Sequence, residues 1–267
     1  MAELTGRVAL VTGGGKGIGR AIALSLASAG ADVAVAGRSK DALEEVKTAI
    51  RASGRRGEAI VCDVTDRPQI DAMFGQVKSA LGDPLILVNN AGIAASAKLT
   101  ETTDEMWDQI MRVNATAAFY CTRAALPAML SAGWGRVVNV ASIAARSGAA
   151  YIAAYAASKH ALLGLTRAVA LEVVTRGITV NAVCPGYVDT EMTDRSAAYI
   201  AARTGRPDNV GVIGVAAVVV AGVVLQGRRR GAAARSRSGG GGRGGRGGAR
   251  GGGSGGSGRG GPRRRRP

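Results

Sequence analysis

Histidine is almost absent from this 267-residue chain, cysteine is scarce, and aromatic residues make up only 3% of it. The single histidine, His160, has no partner at the spacing of a metal-ligand pair or a catalytic triad. It reads as structural, and no metal centre is expected. The three cysteines, Cys62, Cys121 and Cys184, sit in apolar stretches without CxxC spacing, the pattern of buried thiols in a reducing compartment. The opening run MAELTGRVALVTGGG carries acid and base early and no long apolar core. A secretory signal is therefore not expected, and the front of the chain reads as cytoplasmic. Acids are missing from the other end. After residue 202 stand 15 of the 35 Lys and Arg but only one of the 19 acids, Asp208. The first 202 residues thus carry a net charge of +2 and the rest +14. The near-neutral front part needs no polyanionic partner.

What is present is a steady alternation of apolar runs with segments of helical period. Residues 7–11, 32–36, 58–62, 85–89, 136–140 and 178–183 read as strands. A first helix runs to about Ala29, where Gly30 is placed to end it, and a second covers residues 41–52. A long helix is expected after Asp104 and another over about residues 151–175. Continuous apolar strands alternating with helices predict an α/β fold, a doubly wound parallel sheet of the Rossmann type covered on both faces. Ligands of such sheets bind at the carboxyl ends of the strands.

That edge is where the chemistry-bearing residues fall. Thr12, Gly13, Gly14, Gly15, Lys16, Gly17, Ile18 and Gly19 follow the first strand and open the first helix. Glycines there let the backbone approach a pyrophosphate at a helix N-terminus. The end of the second strand reads Ala36-Gly37-Arg38-Ser39, with no acid to accept from a ribose. Arg38 suits a 2′-phosphate and Lys16 can reach the same charge, so NADP(H) is expected in preference to NAD(H). Tyr155 and Lys159 stand four apart on one helical face, and Ser142 lies just past the fifth strand. A phenol is a weak acid near neutrality, and a neighbouring ammonium favours its ionised form. Alone, the pair equally suits a packed ring and a solvated amine; Ser142 and the glycine loop decide for general acid catalysis.

Together these residues resemble the short-chain dehydrogenase/reductase family in its single-domain form, from residue 8 to about 193. The resemblance is carried by TGGGKGIG (12–19), CDV (62–64), NNAG (89–92), Asn114 in RVNAT, Ser142 in VASIA, YAASK (155–159) and NAVCPGYVDT (181–190). It implies a catalytic set of Asn114, Ser142, Tyr155 and Lys159, with Asn114 holding a water that links Lys159 to solvent. It further implies Asp63 and Val64 at the adenine, and Asn90, Ala91 and Gly92 along the ribose and cofactor backbone. Tyr155 and Lys159 would also touch the nicotinamide ribose, and Pro185, Gly186, Val188 and Thr190 would wrap the nicotinamide. Within the family, YAASKHALLGLTRAVALEV and PGYVDTEMT are similar to reductases of 3-oxoacyl thioesters and polyketide ketones. A ketone or 3-oxoacyl thioester is accordingly the expected substrate. The resemblance also implies a homodimer through the two long helices.

The end of the chain departs from that pattern, which divides it into a catalytic unit (1–206), an apolar segment (207–227) and a Gly/Arg-rich tail (228–267) expected to be disordered. In the tail, 17 of 40 residues are Gly and 13 are Arg. The final helix and strand of the family have no recognisable counterpart, which removes the elements that usually complete a tetramer and predicts reduced stability. Three readings stay open. An interrupted reading frame accounts for the sudden loss of periodicity and acids, and is favoured. An RGG-type segment would bind nucleic acid, although no aromatic is interleaved for stacking; this goes with an alternative in which the front part is a scaffold of reduced activity. A membrane anchor over residues 210–225 is short for a span and rich in glycine.

Overall fold

A computed structural model of the chain describes residues 3–186. Six strands form one parallel sheet: β1 (Val8–Thr12), β2 (Asp32–Gly37), β3 (Gly57–Val61), β4 (Ile86–Asn89), β5 (Gly135–Val140) and β6 (Ile178–Val183). Their order is β3-β2-β1-β4-β5-β6. Every pairing is parallel, and β1 meets β2 at Val8↔Asp32 and β4 at Ala9↔Ile86. The order turns back between β1 and β4, so the loops leaving those two strands diverge to opposite faces and open a crevice. Six α-helices are described: α1 (Gly17–Ser28), α2 (Lys40–Ala52), α3 (Arg67–Ala80), α4 (Asp104–Met111), α5 (Ala117–Ala132) and α6 (Ala153–Glu172).

The expected strands are all found, within about a residue at their ends; the central ones, β1, β4 and β5, are buried throughout, while the edge strands β3 and β6 are only partly buried. All five residues of β1 and all six of β5 are buried. One face packs Leu10, Leu87 and Val137 against Met73, Cys121 and Met129. The other packs Val11, Val33 and Val88 against Ile22, Leu26 and Val46. Each fully buried side chain of this size contributes about 1.5–3 kcal/mol relative to exposure. Helix α1 ends at Gly30 as expected. With φ +99°, its N–H reaches the Ala27 carbonyl at 2.8 Å while Ala31 N–H reaches Leu26 at 3.0 Å.

Two expectations are corrected. The long helix after Asp104 is broken by a π turn over Arg112–Thr116, where Ala117 N–H bonds the Arg112 carbonyl. The inserted turn carries Asn114, whose amide bonds outside its own helix. Helix α6 starts at Ala153 rather than 151, because Tyr151 has φ +68° and cannot belong to a helix. Val188, Thr190, the expected covering segment, the boundaries at 206 and 227, and the tail lie outside the described residues.

At the amino ends of the strands, charges pair with each other. Asp32 is buried and accepts from Arg55 and Arg56, each at 2.8 Å. Arg7 and Arg136 lie over the Trp134 ring at 4.1 and 4.5 Å from its centroid.

Candidate active site

The carboxyl ends of the strands line two cavities that share Gly13, Ala91, Gly92 and Ile93 and so form one cleft. The first, about 430 Å³, is bounded by the glycine loop, Ser142, Tyr155, Lys159, Pro185 and Gly186. The second, about 560 Å³, is bounded by Arg38, Asp63, Val64, Thr65 and the side chains of α4.

The glycine loop is shaped by what it must touch. A Cβ on Gly19 would overlap the Gly13 carbonyl and the Asn90 amide, so the start of α1 can seat against the loop only with glycine there. Asn90 donates to the carbonyls of Thr12 and Gly13, each at 3.0 Å. Thr12 Oγ1 accepts from the N–H groups of Asn90 and Ala91 at 3.1 and 3.2 Å. Asn90 and Thr12 therefore brace the loop. Thr12 is buried and lines neither cavity, and Gly15 faces Ala42 and Leu43 of α2. Lys16, Gly17, Ile18 and Gly19 do line the cleft. Helix α1 begins there without a side-chain cap or an acid in its first turn, unlike α3 and α4, which Asp66 and Thr103 cap. A helix end left in that state suits a pyrophosphate.

Arg38 follows β2, exposed on the wall of the second cavity, and Ser39 beside it occupies the N-cap position of α2. Asp63 accepts from the Thr65 N–H at 2.9 Å and the Thr65 hydroxyl at 2.8 Å. Those bonds, with the charge of Arg38, hold its carboxyl below the ordinary range despite burial. It is thus held ionised, as an acceptor for a donor such as an adenine amine.

At the other end, Tyr155 and Lys159 are one turn apart on α6, and the Lys159 ammonium lies 5.8 Å from the centre of the Tyr155 ring. Lys159 is only 4% exposed and donates to the Val140 carbonyl at 2.9 Å. Burial lowers it to about 8, opposed by the nearby Cys184. Tyr155 is raised above the ordinary phenol value by burial, which its hydrogen bond with Ser142 offsets in part. The downward shift expected from Lys159 is not seen; desolvation by burial sets the direction. Ser142 also accepts from the Ala144 N–H at 3.1 Å, which fixes its rotamer.

Asn114 closes the site from the π turn. Its amide donates to the Ile93 carbonyl at 2.9 Å and the Ser158 hydroxyl at 2.9 Å, and its oxygen accepts from the Ile93 N–H at 2.8 Å. Ile93 can donate only through N–H and accept only through its carbonyl, so the amide has one orientation. A Cβ on Gly92 would lie 3.2 Å from Asn114 Oδ1 and 3.5 Å from Lys159 Nζ, so both polar atoms face the space beside Gly92. Sequence reasoning missed Ser158, Ile93 and the Val140 carbonyl. Ser158 had a signal, a small polar residue inside YAASK on the Tyr155 helix; backbone groups have none. His160 bonds the Ala156 carbonyl of its own helix and stands outside the site.

Comparison with known proteins identifies the family and the fold. The family described as short chain dehydrogenase matches residues 7–200. A 3-oxoacyl-[acyl-carrier-protein] reductase of Pseudomonas aeruginosa is 42% identical over 191 residues, 72% of this chain and 77% of the relative. A 3beta-hydroxysteroid dehydrogenase of Mediterraneibacter gnavus is 40% identical over 204 residues, 76% of this chain and 74% of the relative. Among solved structures, an actinorhodin polyketide ketoreductase variant with NADPH superposes with TM-score 0.78 at 34% identity, covering 84% of this chain and 92% of that one. An NAD+-bound xylitol dehydrogenase gives TM-score 0.79 at 31% identity, covering 83% and 93%.

Proposed function

The chain belongs to the short-chain dehydrogenase family, and from that premise we propose that it is an NADP(H)-dependent reductase of ketones with Tyr155 as the general acid. One observation carries the reading: Tyr155, Lys159 and Ser142 converge in the same cleft as the glycine loop and the bare start of α1. The glycine loop would hold the pyrophosphate, and Asp63 with Val64 the adenine. When bound, the dinucleotide supplies the hydride.

The chain's own residues handle the rest. Ser142 orients the carbonyl oxygen by hydrogen bonding, and Tyr155 gives its phenolic proton to that oxygen as negative charge develops. Lys159 stabilises the phenolate that Tyr155 leaves. A water beside Gly92, between Asn114 Oδ1 and Lys159 Nζ, would return a proton from solvent.

Arg38 and Lys16, with no acid at residues 36–39, support the choice of NADP(H). The relatives that reduce 3-oxoacyl groups and the ketoreductase neighbour support a 3-oxoacyl thioester or related ketone as substrate. Exposed Phe119 on α5 and Leu171 on α6 support a homodimer built on those helices. Among the described residues no helix is long and apolar enough to cross a membrane. We place the reaction in the cytoplasm.

The test is oxidation of NADPH and NADH by the purified chain with a panel of ketones and 3-oxoacyl thioesters. Turnover with NADPH preferred, abolished by Tyr155→Phe, is expected. A folded preparation that binds no nicotinamide cofactor would sink the reading.

A further inference from the structure

Half of the buried face of α6 is polar: Ser158, Lys159 and Thr166 stand beside Ala154, Leu162 and Val169. Apolar contact is non-directional, whereas a hydrogen bond fixes an orientation. Each of the three polar residues makes such a bond. Ser158 accepts from the Asn114 amide at 2.9 Å, and Lys159 donates to the Val140 carbonyl at 2.9 Å. Both of these belong to the site already described. The third lies outside it. Thr166, two turns beyond Lys159 on the same buried face, accepts from the Asn139 amide at 2.8 Å.

The sense of that bond is fixed. Thr166 Oγ1 gives its own proton to the Leu162 carbonyl at 2.8 Å, so it meets Asn139 only as an acceptor. The Asn139 amide must then turn its N–H groups to α6 and its oxygen to β4, where Asn89 donates to it at 2.8 Å. Asn89 also donates to Thr122 of α5 at 3.1 Å. The chain of bonds thus crosses from α5 through β4 and β5 to α6. Each of its four side chains is at most 5% exposed, and none lines either cavity of the cleft. Polar groups buried in this way are weak evidence for stability, since apolar side chains of the same shape can serve as well. What they add is orientation. Asn139 and Val140 are consecutive in β5, so one strand holds α6 at two points: a side chain grips Thr166 and a carbonyl grips Lys159.

We propose that the Asn139–Thr166 hydrogen bond is a positioning device that sets how α6 lies along β5, and so holds Lys159 Nζ on the Val140 carbonyl and Tyr155 in the cleft. Asn139 and Thr166 are positioning residues, acting through Lys159 and Tyr155. Their role in turnover rests on the reading of that pair as the proton-handling groups.

The experiment compares the full-length chain with Thr166→Val, which keeps the shape and loses the acceptor, and Thr166→Ser, which keeps the acceptor. Two quantities are read. One is the titration of Lys159, followed by NMR of lysine labelled at Cε, with Lys159→Met identifying the signal. The other is kcat with NADPH and ethyl 3-oxobutanoate. Tyr155 and Cys184 are the titratable groups that act on or lie near Lys159, and neither is altered. In Thr166→Val, Lys159 is expected to gain access to water and to titrate at least about half a pH unit higher than in the starting chain. Its kcat is expected to fall about ten-fold, with KM for the ketone within about two-fold. Thr166→Ser should behave as the starting chain in both. A folded Thr166→Val chain whose Lys159 titration moves by less than about 0.2 pH unit, or whose kcat stays within about two-fold, overturns the proposal even if it unfolds at a lower temperature. A Thr166→Ser chain that behaves as Thr166→Val overturns it too. If Thr166→Val fails to fold, Asn139→Ser, too short to reach Thr166, is read in the same way. Failure of both to fold makes the bond a stability element and overturns the proposal. Absence of turnover by the folded starting chain removes the reading of Tyr155 and Lys159 instead, and the NMR titration still decides whether Thr166 positions Lys159.

Discussion

The two edges of the sheet bond their cations differently. At the amino edge, Asp32 takes bonds from Arg55, Arg56 and the Arg56 N–H, Arg56 continues to the Leu81 carbonyl, and Arg136 reaches the Gly135 and Gly177 carbonyls. Burial alone would raise the Asp32 carboxyl, yet the Arg56 hydrogen bonds and the charges of Arg55 and Arg56 hold it low. At the carboxyl edge, α1 starts without a side-chain cap and Arg38 lies exposed on the cleft wall, where its charge acts on Asp63, while Lys159 donates to one carbonyl. Polar groups committed to one another hold the fold, and polar groups left pointing into a cleft are available to a ligand. The lesson is that charge and burial alone do not mark a functional site; the unfilled bonding capacity does.

The sharpest way to break this contrast is Tyr155→Phe. It is expected to lower kcat by about 10²–10⁴ while leaving Tm nearly unchanged, measured by steady-state kinetics and thermal unfolding. Asp32→Ala should do the reverse. Two arginines lose their shared carboxylate, and stability is expected to fall by roughly 2–4 kcal/mol in denaturant titrations, with kcat of the folded fraction intact. The Asp32 contribution is present above the ordinary carboxylate pKa and is lost as pH falls through its depressed folded value. Arg38→Ala is expected to raise KM for NADPH about 10–100-fold and to leave NADH within about three-fold; equal losses for both would show that Arg38 does not read the 2′-phosphate.

The smallest effect concerns pH. Lys159 is lowered to about 8, so the ammonium that supports Tyr155 is lost as pH rises through that value. Ketone reduction is then expected to fall about tenfold per pH unit above it. In stability the sign is opposite. The burial penalty on charged Lys159 is in full force below about 8 and is relieved as pH rises toward the ordinary lysine value. Lys159→Met should remove both dependences, and an unchanged pH profile in that variant would reassign the titrating group.

Much of this was legible in advance, for identifiable reasons. The central strands declared themselves because a sheet covered on both faces favours apolar runs such as VALVT and the VV of β5. The spacing of Tyr155 and Lys159 on α6 followed from helical period alone. Thr12 and Gly15 belong to the glycine loop in sequence but not to the cleft wall, since one braces β4 and the other packs on α2. A motif specifies a backbone path, and side-chain facing along that path depends on neighbours far away in the chain.

By itself the sequence determined the order of elements, the edge on which the chemistry sits and the types of groups brought to it. Those follow from local pattern, because apolar periodicity and glycine placement act over a few residues. Tertiary structure alone decided the π turn that aims Asn114, the burial that moves Lys159 and Tyr155 in opposite directions, and the positive φ of Tyr151 just before α6. Each of these arises where residues tens of positions apart exclude water from one another, and no local pattern encodes that exclusion.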